Sequence, residues 1–368
     1  MMIANEKESA LPPEKLSVAS GKPRAEWIDA ARGIAIVLVV FGHVLAGLVP
    51  PGIWPSSPGY DYTMYLLYTF HVPVFFLVVG INARRSLEGG KKKFVLNKLW
   101  LVGYAYIVWS LIQGSVEVAL ARQVNNPMTG ESLATIAWKP IDQFWFLYVL
   151  LICHLIAAVL VPKLRFLLLA LAVAWFGLGM HITSDVGGGV HMILFYALGV
   201  VLAVPIKEWK VSRGFTSMGF SLGIWAMVVA ASYAAWRNGL PIYSWIVLPV
   251  TLAGIAGTIW TAKALQGWAS SLLAIAGRYS MSIYVMHVLA AAGFRILLVA
   301  VHIRQPLLHL VGGTLLGLGL PILAERIFEN LHLSVLLGLR LPAFLSARSR
   351  QSSVVSLTVP TAHQQAHF

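Results

Sequence analysis

The chain has 368 residues, 58% hydrophobic and 11% charged, with a mean hydropathy of +0.77 and a formal net charge of +13. A soluble domain carries roughly 25% charged residues, so this chain lacks the polar surface to cover itself and much of its outside must face lipid. The positive charge then reads as basic cytoplasmic loops and not as a nucleic-acid footprint, and the one cysteine, Cys153, excludes an internal disulfide and a multi-cysteine metal site.

Residues 1–26 are polar, without an apolar core, and read as a flexible tail and not a cleaved signal peptide. Apolar runs follow near 27–49, 63–82, 94–118, 141–161, 165–180, 190–206, 214–236, 241–262, 276–301 and 306–326. They are continuous and about twenty residues long, which favours helices over the roughly ten-residue alternating segments of a membrane barrel. The run 165–180 is short enough to be tilted or re-entrant. Residues 327–368 read as an amphipathic or disordered tail, with 331–340 on the membrane surface. The expectation is an all-α integral membrane protein. A bundle of about ten transmembrane helices occupies residues 27–326.

Basic residues set the orientation. With the N-terminus inside, twenty of the 27 Lys and Arg fall on cytoplasmic segments and four on the opposite side, while Arg32, Lys98 and Arg295 sit within helices or at their ends. That asymmetry predicts cytoplasmic N- and C-termini. Gly313 and Gly317 form a GxxxG that reads as close helix packing. Phosphate-cradling glycine loops, HExxH and Cys/His metal spacings are missing from the sequence.

The first run carries the strongest signal. It reads Glu26-Trp-Ile-Asp29-Ala-Ala-Arg32-Gly, and His43 follows eleven residues after Arg32. Eleven residues make three helical turns plus roughly 20°, so both side chains share a face about 16 Å apart along the axis. Asp29 lies one turn before Arg32 on nearly the same face. Ionisable groups within a span usually face a bundle interior or a water-filled cavity. The competing reading is an interfacial Asp29–Arg32 pair and an interior hydrogen-bonding His43.

Four stretches then resemble, in order, the acyltransferase-3 family of membrane acyltransferases. They are Ile28-Asp29-Ala-Ala-Arg32-Gly33 with His43, Phe70-His71-Val-Pro-Val-Phe-Phe-Leu-Val-Val79-Gly80, Phe144-Trp145-Phe-Leu-Tyr148, and Gly277-Arg-Tyr-Ser-Met-Ser-Ile-Tyr284-Val-Met-His287. The likeness runs from about Trp27 to Glu325. One departure stands out: the second stretch ends Val79-Gly80 where the family commonly has Ser-Gly, so no hydroxyl role carries over to position 79.

The resemblance implies transfer of an acyl group, usually acetyl, from cytoplasmic acyl-CoA to a sugar hydroxyl of a surface glycan. A sugar hydroxyl needs a base near neutral pH, and histidine suits this; His43 is the first candidate, with Arg32 beside it in the catalytic motif. Phosphates of the donor call for Arg at the cytoplasmic mouth, so Arg32, Arg84 and Arg85 are the candidate acyl-CoA ligands. For Arg84 and Arg85 the alternative is ordinary positive-inside anchoring. Asp29, His71, Asp142, Trp145, Tyr284 and His287 are candidates for the acceptor site or the cavity wall, while His154 and His191 read as structural. No metal and no bound cofactor are expected, and acetyl-CoA is a co-substrate.

The expected partners are the lipid bilayer, acyl-CoA and a glycan acceptor such as an exopolysaccharide or lipid-linked oligosaccharide. The expected home is a bacterial inner membrane. Two other readings stay open: a proton-coupled secondary transporter that uses buried His and Arg as a relay, and a non-catalytic membrane subunit of glycan export.

Overall fold

The computed structural model describes residues 25–125, 127–179, 189, 191–212 and 214–345. Among these the secondary structure is helical, without strands. The longer helices are α1 (Glu26–Leu48), α2 (Pro58–Glu88), α3 (Lys91–Ala119), α4 (Trp145–Gly179), α5 (Met192–Val201), α6 (Phe215–Arg237), α7 (Leu248–Ala264), α8 (Gly267–Arg278), α9 (Ser280–Ala300) and α10 (Pro306–Asn330). Seven helical segments among the described residues are long and apolar enough to cross a membrane: α1, α2, α3, the stretch Asp142–Val161 at the start of α4, α6, α9 and α10. The expected runs at 165–180, 190–206 and 241–262 fall on shorter pieces. These are the second limb of α4 beyond a bend at Leu164, α5 with the short helix Ala203–Glu208, and the 17-residue α7. Large apolar side chains such as Leu171, Leu222, Leu297 and Leu315 lie exposed on the outer helix faces, as a lipid-facing surface requires.

Local chemistry sets several helix starts. Ser57 caps α2 by accepting the Tyr60 N–H at 3.2 Å, and Pro58 follows it in the first turn. This starts α2 about one turn before its apolar run. Pro249 and Pro306 occupy the first turns of α7 and α10, where a missing N–H costs nothing.

α1 is the hub. It packs against α2, α7, α8, α9 and α10. Its closest neighbour is α8, because two glycines let the backbones touch. A Cβ on Gly33 would sit 1.9 Å from the Leu273 carbonyl oxygen, and one on Gly277 would sit 1.8 Å from the Asp29 carbonyl oxygen. α2 and α5 cross in the same way at Gly80 and Gly199, where a Cβ would meet the carbonyls of Tyr196 and Leu77 at 2.2 and 2.1 Å. Gly80, the last residue of the second motif, is thus a packing residue. Gly313 and Gly317 of the GxxxG rest on Val44 and Val40 of α1, the close packing that the sequence predicts.

Two boundaries depart from the sequence reading. The run expected at 276–301 is broken at Tyr279: residues before it belong to α8, a separate 12-residue helix folded onto α1. α10 continues to Asn330, past the expected tail boundary at 327, and the segment 331–340, expected on the membrane surface, packs against α3. There Tyr104 Oη donates to the Leu336 carbonyl at 2.7 Å, Trp109 Nε1 to Leu337 and Trp100 Nε1 to Arg340, both at 3.0 Å. α3 widens into a π-helix at Leu99–Tyr104 on this side, and Gly338, at φ 70°, sits directly on Ala105. The expected tails at 1–24 and 346–368 lie outside the described residues.

Candidate active site

α1 places Arg32 and His43 along the same stripe, and two cavities follow that stripe. The inner one, about 240 Å³, is lined by Arg32, His43, His71, Lys98, His154 and Tyr284 among others. The outer one, about 370 Å³, is lined by His43, Glu117, Asn125, Asp142, Arg295 and His309 among others. His43, Gln143 and Trp145 border both. The first helix therefore carries a histidine at the wall between two chambers. Arg32 lies in the chamber toward its N-terminus, 3.9 Å from the Asp29 carboxylate.

The surroundings of His43 come from α9 and the turn before α4. The His287 ring packs edge-on against His43, with centroids 5.1 Å apart. Its Nδ1 lies 2.7 Å from the Tyr284 carbonyl and 3.0 Å from that of Ile283. Nδ1 must therefore be the protonated nitrogen, which leaves Nε2 as a buried lone pair without a hydrogen-bond partner. Tyr284 donates its hydroxyl to the Gln143 carbonyl, tying α9 to the 142–145 turn. At that turn Asp142 adopts φ 39°, a left-handed conformation that most non-glycine residues avoid. Its carboxylate lies within electrostatic reach of His43. His71 hydrogen-bonds through Nδ1 to the Leu67 carbonyl and packs edge-on against Tyr68 at 4.9 Å.

A family model described as an acyltransferase domain, the acyltransferase-3 type, matches residues 25–326. The chain belongs to this acyltransferase family. By family and by its apolar helices it is a multi-pass membrane protein. It is also similar to the nodulation protein NolL of Mesorhizobium japonicum, at 26% identity over 194 residues, 48% of either chain. The chain thus spans about half the length of that curated relative. No solved structure matches it.

Against this family's motifs the structure gathers most of the expected residues. Arg32, His43, His71, Trp145 and Tyr284 line one or both cavities, Asp142 lines the outer one, and His287 abuts His43. Asp29 lines neither cavity and is buried beside Arg32 at the crossing with α8. Arg84 and Arg85 also line neither. They stand half-buried and exposed at the end of α2, with Glu88 and Lys207 in electrostatic reach. α1 and α2 are antiparallel, since Gly42 faces Leu67 while Val79 shares the inner cavity with Arg32. That end of α2 therefore lies beside the start of α1. His154, read as structural, hydrogen-bonds to the Tyr196 hydroxyl at 2.9 Å and also lines the inner cavity.

Several residues that line or brace the cavities escaped the sequence reading. Lys98 and Arg295 were legible as basic residues inside apolar runs. Gln113 and Glu117 share a face of α3 at i,i+4 spacing, and an ionisable residue at that depth is a functional candidate by default. Gln143 has no such signal. It is defined by its partner, a residue thirty positions earlier, through Gln143 Nε2 donating to Gln113 Oε1 at 2.7 Å.

Proposed function

We propose that the protein is a membrane O-acyltransferase that moves an acetyl group from acyl-CoA, bound from the cytoplasmic side, to a sugar hydroxyl of a surface glycan. The observation that carries this reading is the position of His43 between two chambers of different chemistry. In this reading the chain crosses a bacterial inner membrane about ten times, with the shorter helices completing the count and both termini on the basic side. Acyl-CoA's pantetheine arm enters the inner cavity past Arg32 and Lys98. A cavity of about 240 Å³ is too small for a nucleotide as well, so the phosphates stay at the mouth, beside Arg32 and within reach of Arg84, Arg85 and Lys207.

The acceptor hydroxyl enters the outer cavity and hydrogen-bonds to His43. His43 takes the hydroxyl proton as the oxygen attacks the thioester carbonyl. The carbon–sulfur bond breaks, and the imidazolium returns the proton to the leaving thiolate. The products are the sugar ester and free CoA, and the histidine ends neutral as it began. His287 positions His43 by edge-to-face packing, and Tyr284 holds the Gln143 turn that closes both chambers.

The test is acetyl transfer by purified protein in detergent, with radiolabelled acetyl-CoA and a glycan fraction from the producing cells. Label should appear in the glycan and fall sharply with His43→Ala and, at low acetyl-CoA, with Arg32→Ala. A well-folded protein that neither binds nor consumes acetyl-CoA in the presence of acceptors would sink this reading and favour a transporter.

A further inference from the structure

The outer cavity holds a carboxyl for which the reaction above has no use. Glu117 lies near the end of α3, is 7% exposed and lines this cavity. Its Oε1 accepts from Gln113 Nε2 at 2.9 Å, whereas Oε2 is buried with no hydrogen-bond partner. A carboxyl oxygen left unsatisfied at such a depth is costly.

The neighbouring amides are engaged with one another, and the side chain of Asp142 also lies within hydrogen-bonding reach of the Glu117 carboxyl. Gln113 Nε2 is also 3.3 Å from both Asp142 Oδ2 and Gln143 Oε1, and Gln143 Nε2 donates back to Gln113 Oε1. On the opposite wall Arg295 Nη1 donates to the Gly47 carbonyl and to Asn125 Oδ1, both at 2.6 Å. The two interlocked amides brace Glu117 and leave one oxygen for a ligand. The cavity's volume of about 370 Å³ lies within the range of roughly 300–1,000 Å³ for small-molecule sites. His43 and the flat face of Trp145 border the same space.

We infer that the outer cavity is a sugar-ring subsite in which Glu117 accepts a hydrogen bond from one ring hydroxyl while a neighbouring hydroxyl is presented to His43. This deepens the acyl-transfer reading and rests on it. The ligand class is a hydroxyl-rich ring: vicinal hydroxyls supply the donor that Oε2 lacks, and the ring's apolar face suits Trp145. Glu117 exchanges no acyl group. It fixes which hydroxyl meets the base.

The experiment reads how acetyl partitions between glycan and water. Purified protein is given radiolabelled acetyl-CoA and the glycan fraction of the producing cells, and labelled glycan and free acetate are both counted. Glu117→Gln should lower the ratio of glycan ester to acetate at least tenfold and raise the glycan concentration for half-maximal transfer. Glu117→Asp, which keeps a carboxyl but withdraws it, should lower the ratio in the same direction and serves if the amide variant does not fold. An unchanged ratio in a folded variant, whether both products fall or neither does, overturns the subsite. A wild-type protein that makes neither product overturns the acyl-transfer reading itself, a different result.

Discussion

The two cavities that meet at His43 are unlike in charge. Among the described residues the inner cavity is lined by two cations, Arg32 and Lys98, and by no carboxylate. The outer cavity sets the carboxyls of Glu117 and Asp142 and the amides of Asn125 and Gln143 against Arg295. A chain that simply relayed one substrate would have little need for this asymmetry. The two substrates of the proposed reaction, an anionic thioester carrier and a polyol that meet at one histidine, would account for it. If that is so, changes on one side should move one substrate's kinetics and spare the other's.

The largest effect belongs to the shared wall. His43→Ala should lower the rate of transfer by about 10²–10⁴, the usual contribution of a positioned general base. The KM for acetyl-CoA should stay near its wild-type value, because the imidazole binds neither phosphate nor ring in the ground state. Steady-state kinetics with varied acetyl-CoA check both parts. A variant with a normal maximal rate and a raised KM would make His43 a binding residue and remove the base from the mechanism.

The next largest separates the chambers. Arg32→Ala should raise the KM for acetyl-CoA by roughly 10–100-fold, the equivalent of about 1.5–3 kcal/mol for a hydrogen bond to a charged group. The KM for the glycan should be spared. Arg32→Lys should recover a minor part, since a lysine cannot reproduce the guanidinium fork. Equal rises in both constants would mean that Arg32 holds α1 in place and does not bind the donor.

How far the sequence anticipates this arrangement depends on the range of the interaction. The Arg32–His43 stripe is a property of one helix, and its period places both side chains on one face before any tertiary contact is known. The apolar runs are equally local, and each falls on a helical segment. α8 was hidden because its 12 residues adjoin the apolar start of α9, and Gly277, the glycine near the Tyr279 break, lies inside the helix. Its identity comes from the Gly33–Gly277 contact, made between residues far apart in the chain. The outer cavity was hidden for a similar reason: Glu117, Gln143 and Arg295 come from three distant segments, and only packing brings them together. The placement of 331–340 on α3 depends on aromatic donors of α3 meeting carbonyls some 230 residues later.

A smaller effect probes the joint between the chambers. Tyr284→Phe removes the hydroxyl that donates to the Gln143 carbonyl and leaves the ring packed against Phe146 at 5.0 Å. One neutral hydrogen bond contributes about 0.5–1.5 kcal/mol, so transfer should fall roughly threefold to tenfold. Because Gln143 borders both cavities, the KM values for donor and acceptor should both rise, unlike the one-sided effect of Arg32. A thermal midpoint within a few degrees of wild type would show that the fold is intact.

The smallest effect lies outside both chambers. Arg84, Arg85 and Lys207 gather at the mouth beside the inner cavity, with Glu88 among them. Burial first, and then the charge of Arg85, hold the Lys207 ammonium below the usual lysine range. Cations that crowd one another in this way gain when an anion docks between them. They are largely exposed, however, and exposed charge pairs contribute about 0–1 kcal/mol. The double variant Arg84→Ala with Arg85→Ala should therefore raise the KM for acetyl-CoA only about twofold to fivefold at low salt. The difference from wild type should vanish near 0.5 M salt, where the Debye length shrinks to about 4 Å. Replacing acetyl-CoA with acetyl-pantetheine, which lacks the nucleotide phosphates, should abolish the difference at any salt. A loss that persists with acetyl-pantetheine would place the two arginines in the architecture of α2 and leave Arg32 and Lys98 as the cations that meet the donor.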